Sequence, residues 1–168
     1  ESTYNLKCID ISNPDQVAVK NEQYLWGNVE TVFIAGQHMY VGTSSGMHIL
    51  DLDEPMSPKL LSTYQHMTAC DPVVVEGDWA YVTLRSGNLC GGNQNLLEVV
   101  DISDKYAPRL QASFGMKSPY GLGIDKGILF VCEGEWSSGP GLWAFVWVNA
   151  PGFLLCVILN EVKDLVHI

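Results

Sequence analysis

The sequence is short of positive charge. Nine Lys and Arg stand against 19 Asp and Glu, a formal net charge of −10. A surface of that sign repels phosphate backbones, and the nine cations are scattered without forming a basic patch, so nucleic-acid binding is not expected. Long apolar runs are missing too. A run such as Phe153–Leu159 falls far under the ~20 residues of a spanning helix, so no membrane span is expected. No Cys-x-x-Cys spacing occurs among Cys8, Cys70, Cys90, Cys132 and Cys156, which removes zinc-ribbon and thioredoxin-like readings. The odd count leaves at least one cysteine unpaired or paired outside this chain. The chain opens on Glu1-Ser2-Thr3 with neither an initiator Met nor a signal segment, and an N-terminal part is expected to be missing.

What is present is a globular composition: 168 residues, 47% hydrophobic and 17% charged, enough to bury a core. It is organised by repetition. Leu6–Ser12, Met47–Asp53 and Leu97–Ser103 are each apolar and each end in Asp, an apolar residue, then Ser or Asp. Proline follows at Pro14, at Pro55 and Pro58, and at Pro108. A second set keeps step: Val32–Val41, Val73–Val82 and Leu122–Val131. The repeat Asp10, Asp51 and Asp101 precede the aromatics Tyr40, Tyr81 and Phe130 by 30, 30 and 29 residues.

Each unit reads as short strands. Val73–Val75 and Ala80–Leu84 flank a Gly77-Asp78 turn, a hairpin signal. The segment ending in the repeat Asp is a third strand, and Lys59–Tyr64 or Arg109–Phe114 a fourth. Four strands in about 40 residues is the pattern of a β-propeller blade. The expected fold is all-β, a partial propeller-like array of about three to four four-stranded blades over residues 1–146. Counted by the repeat aspartates, its units lie around 6–46, 47–95 and 96–141, with another beginning at 141. In that last copy Val146 stands where the repeat Asp belongs.

The segments Cys8–Pro14, Gly77–Val82 and Val99–Ser103 resemble the LVIVD-repeat family of bacterial β-propeller-like proteins. The resemblance covers roughly Leu6 to Trp143. It implies an exported or surface-associated protein, periplasmic, cell-surface or secreted. It implies no particular activity, because propellers host enzymes and binders alike.

Residues 147–168 change character. Leu155, Ile158, Leu159, Val162, Leu165 and Val166 fall at helical spacing, which predicts a short C-terminal helix. It is either a cap over an open sheet edge or a tail foreign to the repeat.

The best functional lead is an insertion. Tyr40 to Asp51 is 11 residues and Tyr81 to Asp101 is 20, so nine extra residues fall within Arg85–Asn95. Insertions in repeat arrays map to loops, often on the binding face. The amides of Asn88, Asn93, Gln94 and Asn95 suit a glycan or peptide. Trp136, in the corresponding loop Glu133–Gly141, is expected on the same face. Cys70 and Cys90 flank the hairpin that leads into the insertion, and a disulfide between them would staple it in an oxidising compartment. Two unrelated thiols are the other reading. Asp10, Asp51 and Asp101 recur once per unit, which points to a turn-holding role and not to catalysis.

Other candidates carry less. Cys132 and Cys8 lie on strands as small hydrophobes. His38, His48, His66 and His167 show no ligand spacing on a common element, so no metal is expected, and no other cofactor. Asp125, Glu133 and Glu135 gather near one strand end, as a solvated rim or a calcium site. Trp79 and Trp143 fit packing between blades. The expected function is a non-catalytic recognition module or scaffold with a protein or glycan partner. The alternative is a propeller-type hydrolase or lyase with its site on the loop face.

Overall fold

The computed structural model describes residues 5–66, 72–87, 92–135, 139–146 and 156–158. It is all-β and propeller-like. Among the described residues fourteen strands form one two-stranded and three four-stranded antiparallel sheets. Strands β1 (Asn5–Asp10) and β2 (Ala18–Tyr24) pair alone. The second sheet runs β3 (Val29–Ala35), β4 (His38–Thr43), β5 (Gly46–Asp51) and β6 (Lys59–Gln65). The third runs β7 (Val73–Glu76), β8 (Trp79–Leu84), β9 (Leu96–Asp101) and β10 (Arg109–Gly115). The fourth runs β11 (Pro119–Asp125), β12 (Ile128–Glu135), β13 (Gly139–Val146) and β14 (Cys156–Ile158). A 3₁₀ turn, Pro14–Gln16, is capped by the Asn13 side chain.

Register makes the sheets equivalent. Asp51 pairs with His38, Asp101 with Trp79 and Val146 with Ile128, so Val146 occupies the repeat-aspartate position of the fourth sheet. By the same alignment β1 and β2 are the third and fourth strands of a blade. Each complete sheet therefore begins two strands before the aspartate-bearing strand from which the sequence period is counted. The sheets stack with β7 touching both β3 and β11, which puts the first strands on the inside of the array.

The core lies between sheets. Tyr40, Met47, Ile49 and Tyr64 of the second sheet bury against Val75 and Val100 of the third. Tyr81 and Val99 of the third do the same with Leu129 and Val131 of the fourth. Leu6 and Leu25 seal the half-sheet onto Met39, Val41 and Leu50. Strands buried on both faces need continuous apolar runs, which is why β5 and β9 read so strongly in the sequence.

One expectation is corrected in the tail. Cys156–Ile158 form strand β14, paired with β13 at Ala144, Phe145 and Val146, where helical spacing predicted a helix. The exposed edge of β13 offers hydrogen bonds that override an amphipathic period, and a β-branched pair, Val157-Ile158, accepts them. The rest of 147–168 lies outside the described residues. Among the described residues no helix is long and apolar enough to cross a membrane.

Candidate functional site

Antiparallel order divides the loops between two ends of the array. One end carries the turns at Gly36-Gln37, Gly77-Asp78 and Lys126-Gly127, and the repeat aspartates. There the Asp10, Asp51 and Asp101 carboxylates each accept a backbone N–H two residues on, from Ser12, Asp53 and Ser103, at 3.0, 2.9 and 2.9 Å. These bonds turn the chain out of the third strand. The Ser12 hydroxyl and N–H hold the Asp10 carboxyl below the usual range, and the Ser103 N–H and hydroxyl do the same for Asp101.

The opposite end carries the connections between second and third strands and the crossovers between sheets. Here the sheets differ. Ser44-Ser45 suffice between β4 and β5, whereas Arg85–Asn95 join β8 to β9. The base of that long loop is tied. Asn95 Oδ1 accepts from Ser86 N at 2.8 Å and from Ser86 Oγ at 3.1 Å. Gly87 N donates to Gly92 O at 3.3 Å, with Gly87 in the left-handed region at φ +71. Met116 N donates to Asn95 O at 2.9 Å, which fixes the loop to the next crossover. At its root the Arg85 guanidinium lies 4.2 Å from the centroid of the Tyr120 ring, a cation–π contact.

The sequence candidates separate on this frame. Asn93 and Gln94 are exposed at the loop. The side-chain oxygen of Asn95 is spent on the loop base. Asn88, Trp136, Cys70 and Cys90, and with them the expected shared surface and the Cys70–Cys90 disulfide, lie outside the described residues. Register does make the β8–β9 and β12–β13 connections equivalent. The acidic group over 125–135 does not form at one strand end. Asp125 is at the β11–β12 turn, paired to Ile128, while Glu133 pairs with Pro119 at the far end of β12. Five residues of strand hold them ~17 Å apart. Glu133 is buried and not part of a solvated rim, and its Oε1 accepts from the backbone N–H groups of Lys117 and Ser118. His38 is half-buried at the start of β4.

Three buried polar residues anchor this end: His48 and Glu133, whose sequence context suggested other roles, and Glu98, which no motif singled out. His48 is buried, with Nε2 2.7 Å from Trp26 O and Nδ1 2.8 Å from Thr63 Oγ1. A carbonyl only accepts, so Nε2–H donates to it, and in the neutral ring Nδ1 accepts from the Thr63 hydroxyl. Glu98 is buried and accepts from Tyr64 OH at 3.0 Å, across the junction of the second and third sheets. Glu133 holds the third crossover as described above. The signal for two of them was present: His48 and Glu98 are polar residues at the same place, three before the repeat Asp, inside apolar strands. Buried polar groups need partners, and His48 finds one on the first crossover while Glu98 finds one on the neighbouring blade. Among the described residues no group of three His, Cys, Asp or Glu is arranged to hold a metal ion. Burial pushes the Tyr81 and Tyr40 phenols up to about 12, with the charges of Glu76 and Asp78 adding to it.

The family model of the LVIVD repeat matches residues 26–66 and 68–115. These matches cover the second and third sheets strand for strand. None of the curated proteins matches the chain. Among solved structures, an S. cerevisiae assembly described as dbp5 bound to nup159, gle1, IP6 and ADP contains a chain with 10% sequence identity and a TM-score of 0.33. The match covers 79% of the present chain and 48% of that one, so the chain spans about half the length of its counterpart.

Proposed function

The chain belongs to the LVIVD-repeat family, and from that premise we propose that it is a non-catalytic recognition scaffold of an exported bacterial protein, offering its crossover end to a protein or glycan. The observation that carries this reading is the Arg85–Asn95 loop. It breaks the equivalence of the second and third sheets, and it is tied at its base while Asn93 and Gln94 face solvent. A loop held at its root presents amides at low entropic cost, as recognition requires. Arg85 and Tyr120 add a flat aromatic and a cation beside it. The buried carboxylates at this end, Glu98 and Glu133, are engaged in holding chain segments together, which weighs against the reading as a hydrolase or lyase.

The test is a glycan and peptide array probed with the whole chain, followed by titration of each hit. The expected result is a ligand whose affinity falls at least ten-fold in Asn93→Ala/Gln94→Ala and in Tyr120→Ala, with thermal stability unchanged. Hits indifferent to both variants, or a substrate that is turned over, would overturn the reading. Export is tested separately by a free-thiol count and peptide mapping of Cys70 and Cys90, which a bridge would support.

A further inference from the structure

The half-sheet leaves a gap of defined shape. In the second and third sheets the aspartate-bearing strand is paired on both sides: β5 lies between β4 and β6, and β9 between β8 and β10. Among the described residues β1 pairs with β2 alone. Its other edge presents the N–H and C=O groups of alternate residues of Asn5–Asp10 in the place where a second strand would pair.

The neighbouring surface of β3 faces the same gap. Register aligns Val32 and Ile34 with Val73 and Val75 on β7. Val73 and Val75 are 3% and 5% exposed, because the β3–β4 hairpin of the preceding sheet covers them together with Phe33, Ala35 and Tyr40. Leu122 and Ile124, the equivalents on β11, are covered in turn by the third sheet. Val32 and Ile34 are 47% and 61% exposed. Their neighbours Met39 and Val41 on β4 are nonetheless buried, because Leu6 of the half-sheet and Leu25, just after β2, reach them. Val32 and Ile34 are therefore bare at the place where the first two strands of one blade would pack.

We propose that the open edge of β1 and the Val32/Ile34 face of β3 form one acceptor site for a two-stranded β-hairpin of the kind that β3–β4 and β7–β8 make. The edge supplies main-chain pairing, and the valine and isoleucine select an apolar alternation on the incoming strand. The interface it would form is the one already built twice within the chain, between the second and third sheets and between the third and fourth.

The probe is a cyclised peptide with the sequence of Pro72–Arg85, added to the whole chain and followed by fluorescence anisotropy and by hydrogen exchange of β1. The expected result is saturable one-to-one binding, slowed exchange of the β1 amides, and at least ten-fold weaker binding to Ile34→Glu. That side chain is already exposed, so the variant keeps its circular dichroism. A second arm fuses the same hairpin ahead of Glu1 through a flexible linker, where millimolar effective concentration removes weak affinity as a reason for failure. Unprotected β1 amides in the fused protein would overturn the proposal, and so would binding indifferent to Ile34→Glu. Concentration-dependent dimers abolished by Ile34→Glu, without hairpin binding, would overturn it in favour of a second copy as the occupant.

Discussion

Removing one hydroxyl at the junction of the second and third sheets tests how the blades are held together. Tyr64 on β6 packs its ring into the core and donates its hydroxyl to Glu98 Oε2 on β9 at 3.0 Å, both side chains being buried. Tyr64→Phe keeps the ring and leaves the carboxylate without that donor. Hydrogen bonds to charged groups contribute ~1.5–3 kcal/mol, and a buried acceptor left unmatched loses its hydration as well. The expected loss is therefore about 1.5–3 kcal/mol, which for a chain of this size lowers Tm by about 3–12 °C. Glu98→Met in the same background removes the stranded acceptor, so the double variant should be more stable than Tyr64→Phe alone, by about 1 kcal/mol or more. Urea unfolding followed by circular dichroism reads both, with an unchanged slope certifying that compactness is the same. Tyr64→Phe within 0.5 kcal/mol of the parent, or strict additivity of the two changes, would refute the reasoning.

Three further outcomes follow from the same structure. The Tyr81 and Tyr40 phenols titrate near 12 in the fold against ~10 in the unfolded chain. Their contribution is whole below pH ~10 and is lost as pH rises through that window towards 12. Tyr81→Phe should flatten the alkaline fall in stability, and an equally steep fall in a series of urea titrations would contradict it. A Cβ on Gly46 would stand 2.2 Å from the Tyr64 carbonyl oxygen. Since backbone and not a flexible side chain must yield, Gly46→Ala should cost at least ~2 kcal/mol in urea unfolding, and near-parental stability would show that the turn relaxes freely. Asn95→Ala removes the acceptor for Ser86 N and Oγ. It should quicken proteolysis and amide exchange across 85–95 while global Tm moves by only a few degrees, and unchanged exchange would show that the loop base is held otherwise.

The sequence alone determined the repeat and the strand pattern. Alternation, Gly turns and the recurring Asp are local signals, written within a few residues of where they act. The Gly77-Asp78 turn pairs Glu76 with Trp79, and three aspartates bond two residues onward. The long loop was legible as an excess over the period. Only the tertiary structure decided which strands form one blade, because a repeat fixes spacing and not the point at which a sheet begins. It also decided the roles of His48, Glu98 and Glu133. Their partners, Trp26, Tyr64 and Lys117, come from sheet crossovers or neighbouring blades and not from the local turn. The contrast between Val32 and Val73 is of the same kind: both are valines on first strands, and one is bare and the other buried because only one has a hairpin packed against it. Burial belongs to the assembled neighbours, which sequence periodicity does not record.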